Sequence, residues 1–139
     1  MKIVPTNIKD LFVIQPTVFE DARGYFYESY NKEVFKSHGI ADEFVQDNQS
    51  LSQKGVLRGL HFQNPPFAQS KLVRVIIGSV LDVAVDLRKA SPTYGQHFAE
   101  VLTAKDKNML YVPVGFAHGF AVLEDHTIFS YKCSGLYNK

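Results

Sequence analysis

The chain has no tryptophan and a single cysteine, Cys133, so no intrachain disulfide can form. A lone thiol suits a reducing compartment. No apolar run approaches the roughly 18 residues that a membrane-spanning helix needs. The opening residues 1–7 lack the apolar stretch of a secretory signal. Neither sign of charge dominates, since 15 Lys+Arg against 14 Asp+Glu leave a net charge of +1. That balance argues against long-range capture of nucleic acid or an anionic membrane, while leaving room for a small local anion site. Also missing are a Walker loop, a dinucleotide fingerprint and a serine-centred nucleophile elbow. The expectations are therefore no nucleic-acid partner, no membrane and a cytoplasmic location.

What is present is strand-forming sequence. With 139 residues, 45% of them hydrophobic, eleven phenylalanines and seven tyrosines, the chain can bury the core of one domain. Period-two runs are expected over residues 44–51, 56–62, 71–77, 80–87, 97–102, 109–112, 120–123 and 127–131. Residues 11–19 and 24–30 read as earlier strands, with Pro16 better suited to an edge or bulge than to a central strand. Residues 31–38 form the best helix candidate, capped by Asn31 and ended by Gly39. Many short strands without long intervening helices favour a sandwich or barrel.

Two polar clusters interrupt this apolar pattern. In Lys54-Gly-Val-Leu-Arg-Gly-Leu-His-Phe-Gln63, His61 and Gln63 share a strand face, and a bend at Gly59 can bring Arg58 beside them. In Val112-Pro-Val-Gly-Phe-Ala-His-Gly-Phe120, a proline and two glycines can form a turn that delivers His118 to a concave surface. Two histidines invite a metal, but zinc or iron takes three or four ligands, and Gln63 is a poor one. No metal is expected. Asp82 and Asp86 fall on one strand face: Asp86 can pair with Arg88, whereas Asp82 sits among apolar residues and can orient an imidazole. Lys71 and Arg74 point to opposite faces, so one of them can support an enolate oxygen. Tyr131 lies in a late strand, where its hydroxyl can donate a proton or simply pack. Arg23 with Glu28, and Gln46 with Asn48, are polar groups suited to a nucleotide or sugar.

Taken in order, Phe19-Glu-Asp-Ala-Arg-Gly-Tyr-Phe-Tyr-Glu-Ser-Tyr30, Phe44-Val-Gln-Asp-Asn48, Gly55-Val-Leu-Arg-Gly-Leu-His-Phe-Gln63, Lys71-Leu-Val-Arg-Val75, Asp82-Val-Ala-Val-Asp-Leu-Arg88, Val112-Pro-Val-Gly-Phe-Ala-His-Gly-Phe120 and Tyr131-Lys-Cys133 resemble the RmlC-like family of nucleotide-sugar epimerases. The resemblance implies a mainly β fold: a cupin-type double-stranded β-helix, or jelly-roll, with a short helical segment. It implies a single RmlC-like cupin domain over residues 1–139, a homodimer and no cofactor. The implied reaction epimerises dTDP-4-keto-6-deoxy-D-glucose at C3 and C5 on the route to dTDP-L-rhamnose. Its implied catalytic residues are His61 as base, Tyr131 as acid on the opposite face and Lys71 at the C4 oxygen. Phe19, Arg23, Glu28, Gln46, Asn48, Arg58, His118 and Tyr137 would contact substrate, with Asp82 supporting the polar interior. Family members usually continue past Lys139 into a segment that supplies an aspartate for the catalytic histidine, so a chain short of that segment is expected. Alternatives are a catalytically silent nucleotide-sugar binding domain, a single-carbon epimerase or a ketoisomerase.

Overall fold

The computed structural model describes residues 1–65 and 68–135. About half of them lie in strands: β1 (Lys2–Pro5), β2 (Phe12–Gln15), β3 (Phe19–Asp21), β4 (Gly24–Phe26), β5 (Gln46–Ser52), β6 (Leu57–His61), β7 (Lys71–Ile77), β8 (Ser79–Asp86), β9 (His97–Thr103), β10 (Met109–Val112), β11 (Phe116–Val122) and β12 (Thr127–Cys133). The helix α1 (Lys32–Ser37) starts at Asn31, whose side chain accepts hydrogen bonds from the Glu33 and Val34 amides at 3.0 and 3.2 Å. It is too short to stand alone and is anchored by Phe35, which is fully buried against Tyr30.

Six strands pair in the order β1-β2-β10-β7-β12-β5, four in the order β6-β11-β8-β9, and β3-β4 form a separate hairpin. The inner faces of the two larger sheets share one core. Val73, Val75, Leu110 and Phe129 come from the first sheet, and Val80, Ala84, Leu102, Phe120 and Val122 from the second. Phe120 and Phe129 stack across it with ring centroids 4.0 Å apart. Removing a buried ring of this kind leaves a cavity and costs about 3–5 kcal/mol.

The expected cupin jelly-roll is not what the sheets form. The mainly β character and the short helix hold, but no sheet among the described residues curls closed. The six-stranded sheet ends at β1 and β5 and the four-stranded sheet at β6 and β9, each an edge with one neighbour. Closure requires the end strands to pair with a consistent stagger, and the alternation of residues does not specify that pairing. The turn expected within Val112–Phe120 forms, with only the first of its two glycines taking part. The turn is confined to the stretch before Phe116, with Gly115 at φ +95°, and His118 sits in the middle of β11.

Candidate active site

The register of the paired strands decides which side chains enter the space between the sheets. On the six-stranded sheet, Tyr131 lies opposite both Val73 and Asn48, while Cys133 lies opposite both Lys71 and Gln46. Paired residues share a face, so Gln46, Asn48, Lys71, Tyr131 and Cys133 all project inward. Arg74 alternates outward and donates to the Tyr27 hydroxyl at 3.2 Å.

The facing sheet contributes His61, Arg58 and His118. His61 is opposite His118 and Arg58 opposite Phe120, with a register shift between them. Three residue steps on β6 therefore span two on β11. This extra residue puts Arg58 and His61 on one face, which regular alternation would forbid. Glycines make the shift sterically possible. A Cβ on Gly59 would meet Gly119 Cα and His118 O at 2.7 Å, and one on Gly119 would meet Arg58 O at 2.8 Å. Gly59 also has a φ of +104°.

Two cavities open between the sheets, of about 330 and 370 Å³. The first takes in Gln46, Asn48, Gln63 and Gln69, the second Ser50, Arg58 and His118. Three residues line both: His61, Lys71 and Tyr131. The Lys71 ammonium lies 5.5 Å from the centre of the Tyr131 ring. Arg58 Nε donates to Ser52 Oγ at 2.9 Å, which fixes its stem at the cavity wall. Behind the wall, His118 Nε2 meets Asp82 Oδ1 at 2.7 Å, and Asp82 Oδ2 is buried without a partner.

The environment moves several of these groups off their ordinary titration ranges. Burial lowers the His61 pKa from 6.5, and the charges of Lys71 and His118 lower it further, so the imidazole is neutral at pH 7. Burial also pulls the Lys71 ammonium down, against the opposing pull of Cys133 and Asp82. Cys133 is pushed up by burial and stays a thiol. Burial raises the Asp82 carboxyl, with His118 and Lys71 acting against it. Among the described residues, no three His, Cys, Asp or Glu side chains converge on a point that would hold a metal ion.

The structure brings His61, Lys71, Tyr131, Gln46, Asn48, Arg58 and His118 to one space. It does not bring Phe19, Arg23 or Glu28 there. Phe19 is 62% exposed on the β3–β4 hairpin, Arg23 pairs with Asp21 at 2.7 Å, and Glu28 accepts from Asn31. Tyr137 lies outside the described residues. Sequence reasoning missed Ser50, Phe116, Cys133 and Gln69 as lining residues. The first three are two residues from Asn48, His118 and Tyr131, so extending the period-two faces would have found them. Gln69 sits in a loop, where no periodicity points to it.

Similar proteins match this chain along nearly its whole length. A dTDP-4-dehydrorhamnose 3,5-epimerase from Shigella flexneri is 52% identical, the match covering 100% of this chain and 77% of the relative. The crystal structure of the Elizabethkingia anophelis dTDP-4-dehydrorhamnose 3,5-epimerase superposes with a TM-score of 0.95 at 54% identity, covering 100% of this chain and 76% of that one. The Legionella pneumophila enzyme RmlC, solved in complex with dTDP-4-keto-L-rhamnose, superposes with a TM-score of 0.94 at 48% identity, over 99% of this chain and 73% of that one. Residues 5–139 also match the family model described as dTDP-4-dehydrorhamnose 3,5-epimerase. With near-complete coverage and about half of all positions identical, the chain belongs to the dTDP-4-dehydrorhamnose 3,5-epimerase family of isomerases.

Proposed function

We propose that this chain inverts C3 and C5 of dTDP-4-keto-6-deoxy-D-glucose, in dTDP-L-rhamnose biosynthesis, using His61, Lys71 and Tyr131 and no metal or redox cofactor. The observation that carries the reading is the sharing of those three residues by both cavities. Both inverted carbons are α to the C4 ketone, so loss of either proton gives an enolate. Such chemistry needs a base, a positive group at the oxygen and an acid on the far side.

His61 is the base. Its lowered pKa leaves it neutral and able to accept the carbon-bound proton. Lys71 faces the C4 oxygen and stabilises the negative charge that develops there. Tyr131 then donates its hydroxyl proton to the carbon from the other side, and the resulting imidazolium and tyrosinate exchange protons with water before the second inversion. His61 stands on the four-stranded sheet and Tyr131 on the six-stranded one, so base and acid approach the sugar from opposite walls. Arg58 and His118 with Gln46 and Asn48 bind the polar remainder of the nucleotide sugar, and Asp82 supports His118.

Phe19, Arg23 and Glu28 are assigned to the substrate of a second copy in a homodimer. None of them lines either of the two cavities, and the hairpin carrying Phe19 also exposes Tyr25 and Phe26, 61 and 68% accessible. Tyr137 completes the base-binding set. The single RmlC-like domain works in the cytoplasm, a location that suits a nucleotide-linked substrate and an unpaired thiol.

Proton NMR in deuterium oxide with the 4-keto substrate, coupled to a reductase that traps the L-lyxo product, tests this. Deuterium at both C3 and C5 is expected. Deuterium at one carbon only makes the chain a single-carbon epimerase, and binding without exchange makes it a silent nucleotide-sugar binder.

A further inference from the structure

We infer that Ser52 is a positioning residue for Arg58: its hydroxyl holds the guanidinium at the cavity wall, turned so that the terminal amino groups meet the diphosphate of the nucleotide sugar. The inference rests on reading Arg58 as a substrate-binding group.

Arg58 needs such a hold. It stands on β6, an edge strand whose residues are all exposed. A free arginine side chain samples many rotamers, and that freedom must be given up when a ligand binds. Pairing with Phe120 of β11 places the Arg58 backbone, which fixes only the root of the side chain. Among the described residues, the one hydrogen bond of its guanidinium runs from Nε to Ser52 Oγ, at 2.9 Å.

Ser52 is a firm partner. It ends β5, on the face shared with Gln46, Asn48 and Ser50, lies opposite Thr127 of β12 and is only 5% exposed. The connection from Ser52 to β6 is tied down as well. The Gly55 amide donates to the Val122 carbonyl at 2.9 Å, and the Lys54 amide to Asp125 Oδ1 at 3.0 Å. The bond therefore joins an edge strand of the six-stranded sheet to an edge strand of the four-stranded one, and both ends are fixed.

The geometry suits an anion. Arginine has five N–H donors, and this bond uses the one on Nε. The two terminal amino groups keep theirs, in the planar fork that matches phosphate oxygens. Arg58 lines the second cavity beside Lys71 and His118, whereas Ser52 lines neither cavity. Ser52 thus acts on the ligand through Arg58.

A double-mutant cycle on dTDP binding, followed by calorimetry, tests this. Ser52→Ala should weaken dTDP about 3- to 12-fold, the cost of ordering one long side chain on binding. In an Arg58→Ala background the same substitution should change binding less than about 2-fold. In turnover, KM should rise with kcat nearly unchanged, because the interaction lost is common to ground and transition states. Equal losses in the two backgrounds overturn the inference, since Ser52 would then act without Arg58. So does normal binding by Ser52→Ala when Arg58→Ala binds poorly. Nitrogen-15 NMR of the Arg58 Nε–H in the ligand-free, unsubstituted protein decides the matter even if Ser52→Ala does not fold. Its exchange with solvent should be slow, and fast exchange refutes the hold. If exchange is slow but Arg58→Ala binds dTDP normally, the assignment of Arg58 to the substrate fails, and the role of Ser52 toward the ligand falls with it.

Discussion

Asp82 and Asp86 occupy the same strand and the same face, and both are fully buried, yet they are pushed in opposite directions. At Asp86, burial acts to raise the carboxyl pKa, but hydrogen bonds from Arg88, Ser91 and Thr93 prevail and hold it far below the usual range. Arg88 is tied in turn to Asp10 at 3.0 Å. At Asp82 burial prevails, one oxygen is unpaired, and the neighbours are the histidine and lysine of the cavity wall. The comparison teaches how to tell two buried charges apart. The one whose bonding is complete belongs to the fold, and the one left incomplete belongs to the site.

The sharpest way to break that division is to measure activity and stability at each end. Replacing His61 with alanine at the Asp82 end should reduce solvent exchange of the C3 and C5 hydrogens by about 10²–10⁴-fold. His61 lies on an exposed edge strand, so the urea midpoint should move by no more than about 0.5 kcal/mol equivalent. The reverse pattern would show that β6 serves the fold. At the other end, Asp86→Ala should destabilise the protein by about 3 kcal/mol in urea titration, because Arg88, Ser91 and Thr93 lose their acceptor together. Exchange per folded molecule should be unchanged.

The smallest expected effect is also the most specific, because the two aspartates should give stability slopes of opposite sign in acid. Asp86 has a depressed folded pKa, so its contribution is present above the unfolded value, near 3.8, and is lost as pH falls toward the folded one. Asp82 has a raised folded pKa. Its unfolded form therefore releases the proton first, and stability falls as pH rises from 3.8 toward the folded value. Urea midpoints of Asp86→Asn and Asp82→Asn across pH 3–6 read both signs, the first variant flattening the rise with pH and the second removing the fall. Slopes of the same sign would undo the distinction.

Much of this site can be read from the sequence, and its limits are physical. The strands that bear His61, Lys71, Asp82 and Tyr131 follow from period-two runs, and the helix from Asn31 and Gly39. Asp86 pairs with Arg88 as its spacing suggests. Pro16, expected at an edge or bulge within one strand over residues 11–19, instead lies outside the strands, between β2 and β3. Sheet closure was misjudged, because alternation assigns faces to strands without saying whether the outermost strands meet. Gly119 was expected to help form the turn that delivers His118, but it lies within β11, where a neighbouring backbone comes close, and composition alone does not reveal that approach. The strand β1 was missed, being four residues with a charge at one end and a proline at the other. The separation of Phe19, Arg23 and Glu28 from the cavity is a matter of where a hairpin lies, which local sequence does not encode.

The central claim is that base and acid reach the sugar from different sheets, and Tyr131→Phe in deuterium oxide tests it most directly. With the acid gone and His61 in place, hydrogen at C3 and C5 should still wash out to deuterium while the starting configuration is retained, because the imidazole returns a solvent-derived proton to the face it came from. Inversion at an unchanged rate in Tyr131→Phe would contradict the account.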